Sequence, residues 1–223
     1  MKKTAVIIGL AIALAAGGAY GYKQHQRTEL LAAVTPSVKN ASIRVLNSSK
    51  LDTEKTSITF KELFDRLEAD TAEIEKRNIE IQSSANKDNA DITDPAVAYM
   101  RECQEFSRAL GMKYRKGMAF SNAMDHVRDV LAEPMPSSDY GFEYRKTRRE
   151  KALAEMNKTS EEAGSAEADL LAAAKRLKDT RAKAATTFPE DALVPVAQLD
   201  AVIKANTKKE DQAKSGDTAK AKG

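Results

Sequence analysis

Apolar residues recur along this chain with the period of a helix and not of a strand. In the clearest stretch Met100, Cys103, Phe106, Leu110, Tyr114, Gly117, Phe120, Met124, Val127 and Leu131 follow one another at steps of 3, 3, 4, 4, 3, 3, 4, 3 and 4. Steps of three and four keep side chains on one helical face. Asp94-Pro95 suits the start of this helix, because a proline in the first turn lacks only a donor that has no helical partner anyway. Pro134 and Pro136 end it. Gly111 and Gly117 lie inside; each costs up to ~1 kcal/mol relative to Ala, so they mark a close helix contact or a bend.

Helical patterns flank this rod. Thr59 and Glu62 form a capping-box pair, with Ile58 and Leu63 placed as a hydrophobic staple. Phe60, Phe64, Leu67, Thr71, Ile74, Asn78 and Ile81 then keep alternating steps of 4 and 3, a coiled-coil seam in which Asn78 fixes register at some cost in stability. Ser83 to Asp91 is a polar loop. Ser138 or Asp139 caps a third long helix whose buried side is outlined by Tyr140, Tyr144, Leu153, Met156, Ala163, Leu170, Ala174, Leu177 and Ala184. Pro195 opens a short amphipathic helix carrying Val196, Leu199, Val202 and Ile203. The expected fold is all-α, an antiparallel bundle of three to four helices built as coiled-coil-like hairpins behind an N-terminal membrane segment. The bundle occupies 58–206, with helices at about 59–82, 94–133, 139–186 and 195–206. Residues 207–223 are rich in Lys, Ala, Asp and Gly and read as a disordered tail.

The helix lengths are unequal. At 1.5 Å per residue the first bundle helix spans about 36 Å and the central one about 60 Å. The first therefore covers the central helix only as far as Gly117. Phe120, Met124, Val127 and Leu131 face the third helix without a third partner, and an uncovered apolar stripe marks a contact surface. The segment 30–51, a second copy of the chain or a different protein is expected to cover it. The same geometry puts the turn at 134–138 on the side of the N-terminal segment. Beside it Arg145, Lys146, Arg148, Arg149 and Lys151 form a basic cluster relieved only by Glu150. This is either a solvated turn or a contact for anionic headgroups or an acidic protein. Nucleic acid is disfavoured, since Tyr140, Phe142 and Tyr144 precede the cluster without interleaving it.

The N-terminal segment carries the expectation about location. Lys2 and Lys3 precede an uncharged run from Thr4 to Tyr22, and Lys23, His25 and Arg27 follow. A cleaved signal peptide has this form, with Gly17-Gly18-Ala19 as a cleavage site. An anchor needs roughly 17–25 apolar residues, which the run just supplies. Gly9, Ala13, Gly17 and Gly21 fall at steps of four, a small-residue ridge suited to membrane-helix packing, and this favours the anchor. Residues 1–22 are thus read as a single inner (cytoplasmic) membrane span with the body outside the cytoplasm; the alternative is a soluble periplasmic or secreted protein. Residues 23–57 read as a juxtamembrane segment and linker: Pro36 stops the helix, Ile43 and Val45 about Arg44 look strand-like, and 47–56 are polar.

Composition narrows the chemistry. Ala, Glu, Lys, Leu, Asp and Arg dominate a chain that is only 5% aromatic, as in long helices. A net charge of +3 from 36 basic and 33 acidic residues leaves only local clusters to matter. Phosphate loops, dinucleotide fingerprints, zinc spacings and nucleophile elbows are absent. Cys103 sits on the apolar stripe as a small core residue. His126 reads as a surface residue, and Glu102 and Glu105 lack the Glu-x-x-His partners of a di-iron bundle. No catalytic, cofactor or metal site is therefore expected. The sequence points to a non-enzymatic, envelope-associated helical scaffold or adaptor acting through protein contacts or self-association, with the membrane reached through its N-terminal helix. A ligand-binding or sensory bundle in the periplasm is the alternative.

Overall fold

The computed structural model describes residues 2–50, 58–134 and 138–207, with side chains described from Tyr22 onward. Among them every regular element is helical: α1 (Lys2–Ser49), α2 (Phe60–Ser84), α3 (Ala90–Ala132) and α4 (Asp139–Ala184). A single 3-10 turn (Glu190–Ala192) follows, and then α5 at 196–207. The expected tail lies outside the described residues beyond 207, as does most of the expected 47–56 linker.

Local chemistry sets the ends of α2 and α3. The Thr59 amide donates to Glu62 Oε2 at 2.8 Å and the Glu62 amide donates to Thr59 Oγ1 at 3.2 Å, so the capping box is closed in both directions. The backbone bond from Thr59 holds the Glu62 carboxyl below its ordinary range. Asn89 Nδ2 donates to Ser84 O at 2.9 Å and Asn89 Oδ1 accepts from the Asn86 amide at 2.7 Å. That self-tied loop starts α3 at Ala90, one turn ahead of Asp94, and leaves Pro95 inside the helix.

The largest departure from expectation is α1. Pro36 does not stop it, and the helix runs on through the supposed strand and into the first residues of the supposed linker, as far as Ser49. A mid-helix proline costs roughly 3 kcal/mol. Against this, Val34, Val38, Ala41 and Val45 are buried at steps of 4, 3 and 4, and each fully buried valine contributes about 1.5 kcal/mol or more. Ile43, half of the strand-like pattern, points outward. Packing overrides the proline.

Polar bonds then fix where α1 lies. Arg44 and Ser48 both bond Asp70 of α2, Arg27 pairs with Asp91 at 2.6 Å, and Lys39 pairs with Asp191 at 2.6 Å. Ser42 meets Tyr99 at 2.8 Å. From Arg27, beside Asp91, helix α1 therefore runs parallel to α3. Its residues complete one continuous core with Leu63, Ile74, Tyr99, Phe106, Leu170 and Leu177. Phe188, Leu193, Val194 and Leu199 close that core; Arg181, buried, donates to Val194 O at 3.0 Å and pairs with Glu190.

On α2 the buried positions are Leu63, Leu67, Asp70, Ile74, Asn78 and Ile81. The seam is rotated from the expected one: Phe60 is exposed and Phe64 half-buried, because α1 lies against the Leu63–Asp70 side. Helices α3 and α4 form the long antiparallel hairpin. Arg176–Glu102 (3.2 Å), Lys116–Glu162 (2.6 Å) and Arg148–Glu133 (2.7 Å) pin it from body to tip.

Helix α2 begins at Phe60, which shares a surface pocket with Gly117. Past that level, among the described residues, α3 and α4 continue as a two-helix arm. Residues 30–49 do not cover the arm, contrary to expectation, because they run beside the opposite half of α3. The C-terminal end of α3 likewise does not face the N-terminal segment. From Asp91 to Ala132 the axis covers about 60 Å, so Tyr22 leaves the body at the far end from the tip.

Candidate functional site

The arm is held by a thin seam. Ala123, Val127 and Val130 of α3 are buried, and Val127 and Val130 pack against Ala152 with Met156 alongside. Of the four expected contact residues, Val127 is drawn into this seam and Phe120 is half-buried, whereas Met124 and Leu131 are 48% and 46% exposed. Two helices meet along one line, so an apolar stripe wider than that line stays partly wet. The same cause corrects α4: Tyr140, Tyr144 and Leu153, expected on its buried side, are exposed, with Ala152 and Ala166 buried instead. Phe142, which the sequence reading used only as a neighbour of the basic cluster, is a further exposed aromatic on the arm.

The five basic residues divide in two. Arg145 donates to Leu131 O at 3.1 Å, while Arg148 pairs with Glu133 at 2.7 Å and stands 5.9 Å from the Tyr144 ring centre. Both stitch α4 to the end of α3. Lys146, Arg149 and Lys151 are exposed and form no ion pair among the described residues. A shallow groove of about 260 Å³ on α4 is lined by Phe142, Arg145, Lys146, Arg149, Glu150 and Leu153. It lies near the tip, roughly 60 Å from where α1 leaves the body, which removes the expected proximity of this cluster to the N-terminal segment.

A second groove, about 460 Å³, runs between α2 and α3 over Phe64, Leu67, Ala72, Gly111 and Met112. Ion pairs cross it at both ends, Arg115 with Glu68 and Arg108 with Glu75 at 3.3 Å. A Cβ on Gly111 would meet Leu67 Cδ1 at 3.8 Å, an ordinary contact, so this glycine is not demanded by close packing. The Ser107 hydroxyl, buried beside it, has no hydrogen-bond partner among the described residues.

The remaining candidates are structural. Cys103 is fully buried, and loss of hydration pushes its thiol up to about 12, which keeps it un-ionised and inert. Glu102 pairs with Arg176 and Glu105 with Arg108, while His126 is exposed. Among the described residues no three His, Cys, Asp or Glu side chains gather as metal ligands. Gly9, Ala13, Gly17 and Gly21 lie outside the described side chains, as does the expected membrane span apart from Tyr22. Among the described residues no helix is long and apolar enough to cross a membrane.

The polar contacts that sequence reasoning missed are those of Asp70 with Arg44 and Ser48, and of Tyr99 with Ser42. Asp70 stands outside the seam outlined by Phe60, Phe64, Leu67, Thr71, Ile74, Asn78 and Ile81. Only the seven-residue steps Leu63–Asp70 and Leu67–Ile74 could have put it in the seam. No protein family matches the chain, and no curated protein or solved structure matches it either.

Proposed function

We propose that this chain is a non-enzymatic helical scaffold or adaptor that works through protein contacts made by its arm. The observation that carries this reading is the uncovered flank of distal α3, where Met124 and Leu131 stay half-exposed on a continuous apolar stripe. Soluble surfaces seldom leave such a stripe open without a use. The uncharged run from Thr4 to Tyr22, flanked by lysines, supports an inner-membrane anchor with the body outside the cytoplasm. Since α1 leaves the body at the end away from the tip, an anchored chain would hold its arm out from the bilayer.

Photo-crosslinking from position 124 in the intact native cell tests this. Adducts with another protein support the reading, and adducts confined to α4 of the same chain oppose it. With the probe kept at 124, Leu131→Asp is expected to abolish the intermolecular adducts while leaving far-UV circular dichroism largely intact. Global unfolding by that substitution would show ordinary core.

A second reading, a ligand-binding or sensory bundle, rests on the α2–α3 groove with its apolar floor. A broad thermal-shift screen tests it, because a ligand of the folded state raises the melting temperature by mass action.

A further inference from the structure

The scaffold reading leaves the partner open, and the arm carries information about it. In the body, the flank of α3 that presents Tyr99 seats α1, through Ser42. Farther along, α5 takes over this seat: Lys113 Nζ donates to Asn206 Oδ1 at 3.0 Å, and Val202 and Ile203, like Tyr114, pack on the core. The described part of α5 reaches 207, and among the described residues none occupies the seat beyond Gly117.

Helical phase shows that the vacancy is continuous with it. Each residue advances about 100° around the axis. Relative to the buried Ala123–Val127–Val130 line, Phe120, Met124 and Leu131 are turned about 50–90° in the direction of the sequence. Relative to Ala152 and Met156, the residues Arg149, Phe142, Leu153 and Lys146 are turned about 40–100° in the same sense. In antiparallel neighbours equal turns of the same sense open on the same side. The apolar flank of α3 and the apolar-basic flank of α4 therefore form the two walls of one groove, a prolongation of the groove that α1 and α5 fill in the body.

We infer that this distal groove docks an amphipathic helix of a partner protein, its apolar face on Met124, Leu131 and Leu153 and its acidic flank on Lys146 and Arg149. The inference rests on the scaffold reading and supplies its partner chemistry. Helix is the shape that fits, since helices of this chain fill the same groove below. Acidic is the charge that fits, since Lys146 and Arg149 have no ion pair among the described residues and Asp125 and Asp129 lie off this flank by phase. The chain's own residues 208–223 contain no apolar residue larger than alanine and carry five lysines against three acids, so they match neither wall. A second copy would bring its own Lys146 and Arg149 against like charge. From Gly117 to Ala132 the groove is about 22 Å long, enough for a helix of about 16 residues.

The test uses two fluorescein-labelled synthetic helices of that length, with identical leucine stripes and with either glutamate or lysine flanks, titrated against the purified full chain by fluorescence anisotropy. The glutamate peptide is expected to bind at least about tenfold more tightly than its lysine twin, a difference of about 1.4 kcal/mol. Lys146→Glu/Arg149→Glu, both exposed and thus harmless to folding, should reverse the order, and Leu153→Asp should weaken both. Equal affinity for the two peptides, no binding of either, or a preference untouched by the double charge reversal overturns the inference. So does a concentration-dependent dimer abolished by Met124→Asp, or binding of phosphatidylglycerol vesicles that the charge reversal abolishes, since either installs a different occupant. If the peptides fail while position 124 still crosslinks to a protein in the cell, the docking chemistry is wrong and the scaffold reading survives.

Discussion

The docking of α1 against the bundle can be tested through one buried chain of hydrogen bonds. The Val194 amide donates to the Tyr99 hydroxyl at 2.9 Å, so the phenol proton is free to go to Ser42 Oγ at 2.8 Å. The Ser42 hydroxyl in turn donates to Ala192 O at 2.7 Å. These bonds join α1, α3 and the segment after α4 in a place that water does not reach, as Ser42 and Tyr99 are 2% and 0% exposed. Tyr99→Phe keeps the ring and orphans the Val194 amide. Ser42→Ala removes the Ser42 acceptor of the Tyr99 hydroxyl and orphans the Ala192 carbonyl. An unsatisfied buried group costs about 1–3 kcal/mol, so each substitution is expected to destabilise by that order, or roughly 2–4 °C in Tm per kcal/mol in a chain of this size. The double variant removes the hydroxyl that Ser42→Ala strands, so its loss should fall short of the sum by roughly 1 kcal/mol. Urea titrations followed by far-UV circular dichroism give the four stabilities, provided the slope m is unchanged. A Tyr99→Phe variant within about 0.5 kcal/mol of the parent, or strict additivity in the cycle, would refute a sealed α1–α3 contact.

Two smaller predictions follow from burial and from open space. The Cys103 thiol ionises near 9.0 when unfolded and only near 12 when folded, so the folded chain keeps a proton that the unfolded one loses. Stability should be complete below the lower value and decline as pH rises through that window, and Cys103→Ala should flatten part of the decline in urea midpoints; the Tyr99 hydroxyl, pushed up by burial as well, accounts for more. A Cβ at Gly117 or Gly164 would meet nothing within 4 Å. Either Gly→Ala change should therefore stabilise by up to ~1 kcal/mol, and a fall in Tm for Gly117→Ala would show that the base of the arm needs the missing side chain.

Helicity and the hairpin of α3 with α4 were legible because long amphipathic stripes report period directly. The shortfall of α2 against α3, and hence a distal third of α3 with no third helix among the described residues, followed from length alone. What covers the rest of α3 did not follow. Pro36 is a strong local signal, and its override depends on Val34, Val38, Ala41 and Val45 finding a groove that exists only once α2 and α3 have packed. The buried sides of α2 and α4 were misplaced for a related reason. Aromatic residues dominate a sequence pattern by size, yet a close two-helix seam selects small ones, so Ala152 and Ala166 are buried while Tyr140 stands 84% exposed.

That seam also explains how an arm can be both ordered and receptive. A free two-helix hairpin held by Ala123, Val127, Val130, Ala152 and Met156 buries too little apolar area to offset the ordering of its backbone. Here α3 and α4 enter the arm already formed, with the costly nucleation step supplied by the body. Each further turn then adds only propagation, and Lys116–Glu162 and Arg148–Glu133 hold its two ends in register. The distal turns of α3 and α4 are accordingly the part of the hairpin with the least local stability. A helix laid in the vacant groove would bury Met124, Leu131 and Leu153 without displacing anything and without reshaping the backbone, so little of the contact energy is lost to reorganisation.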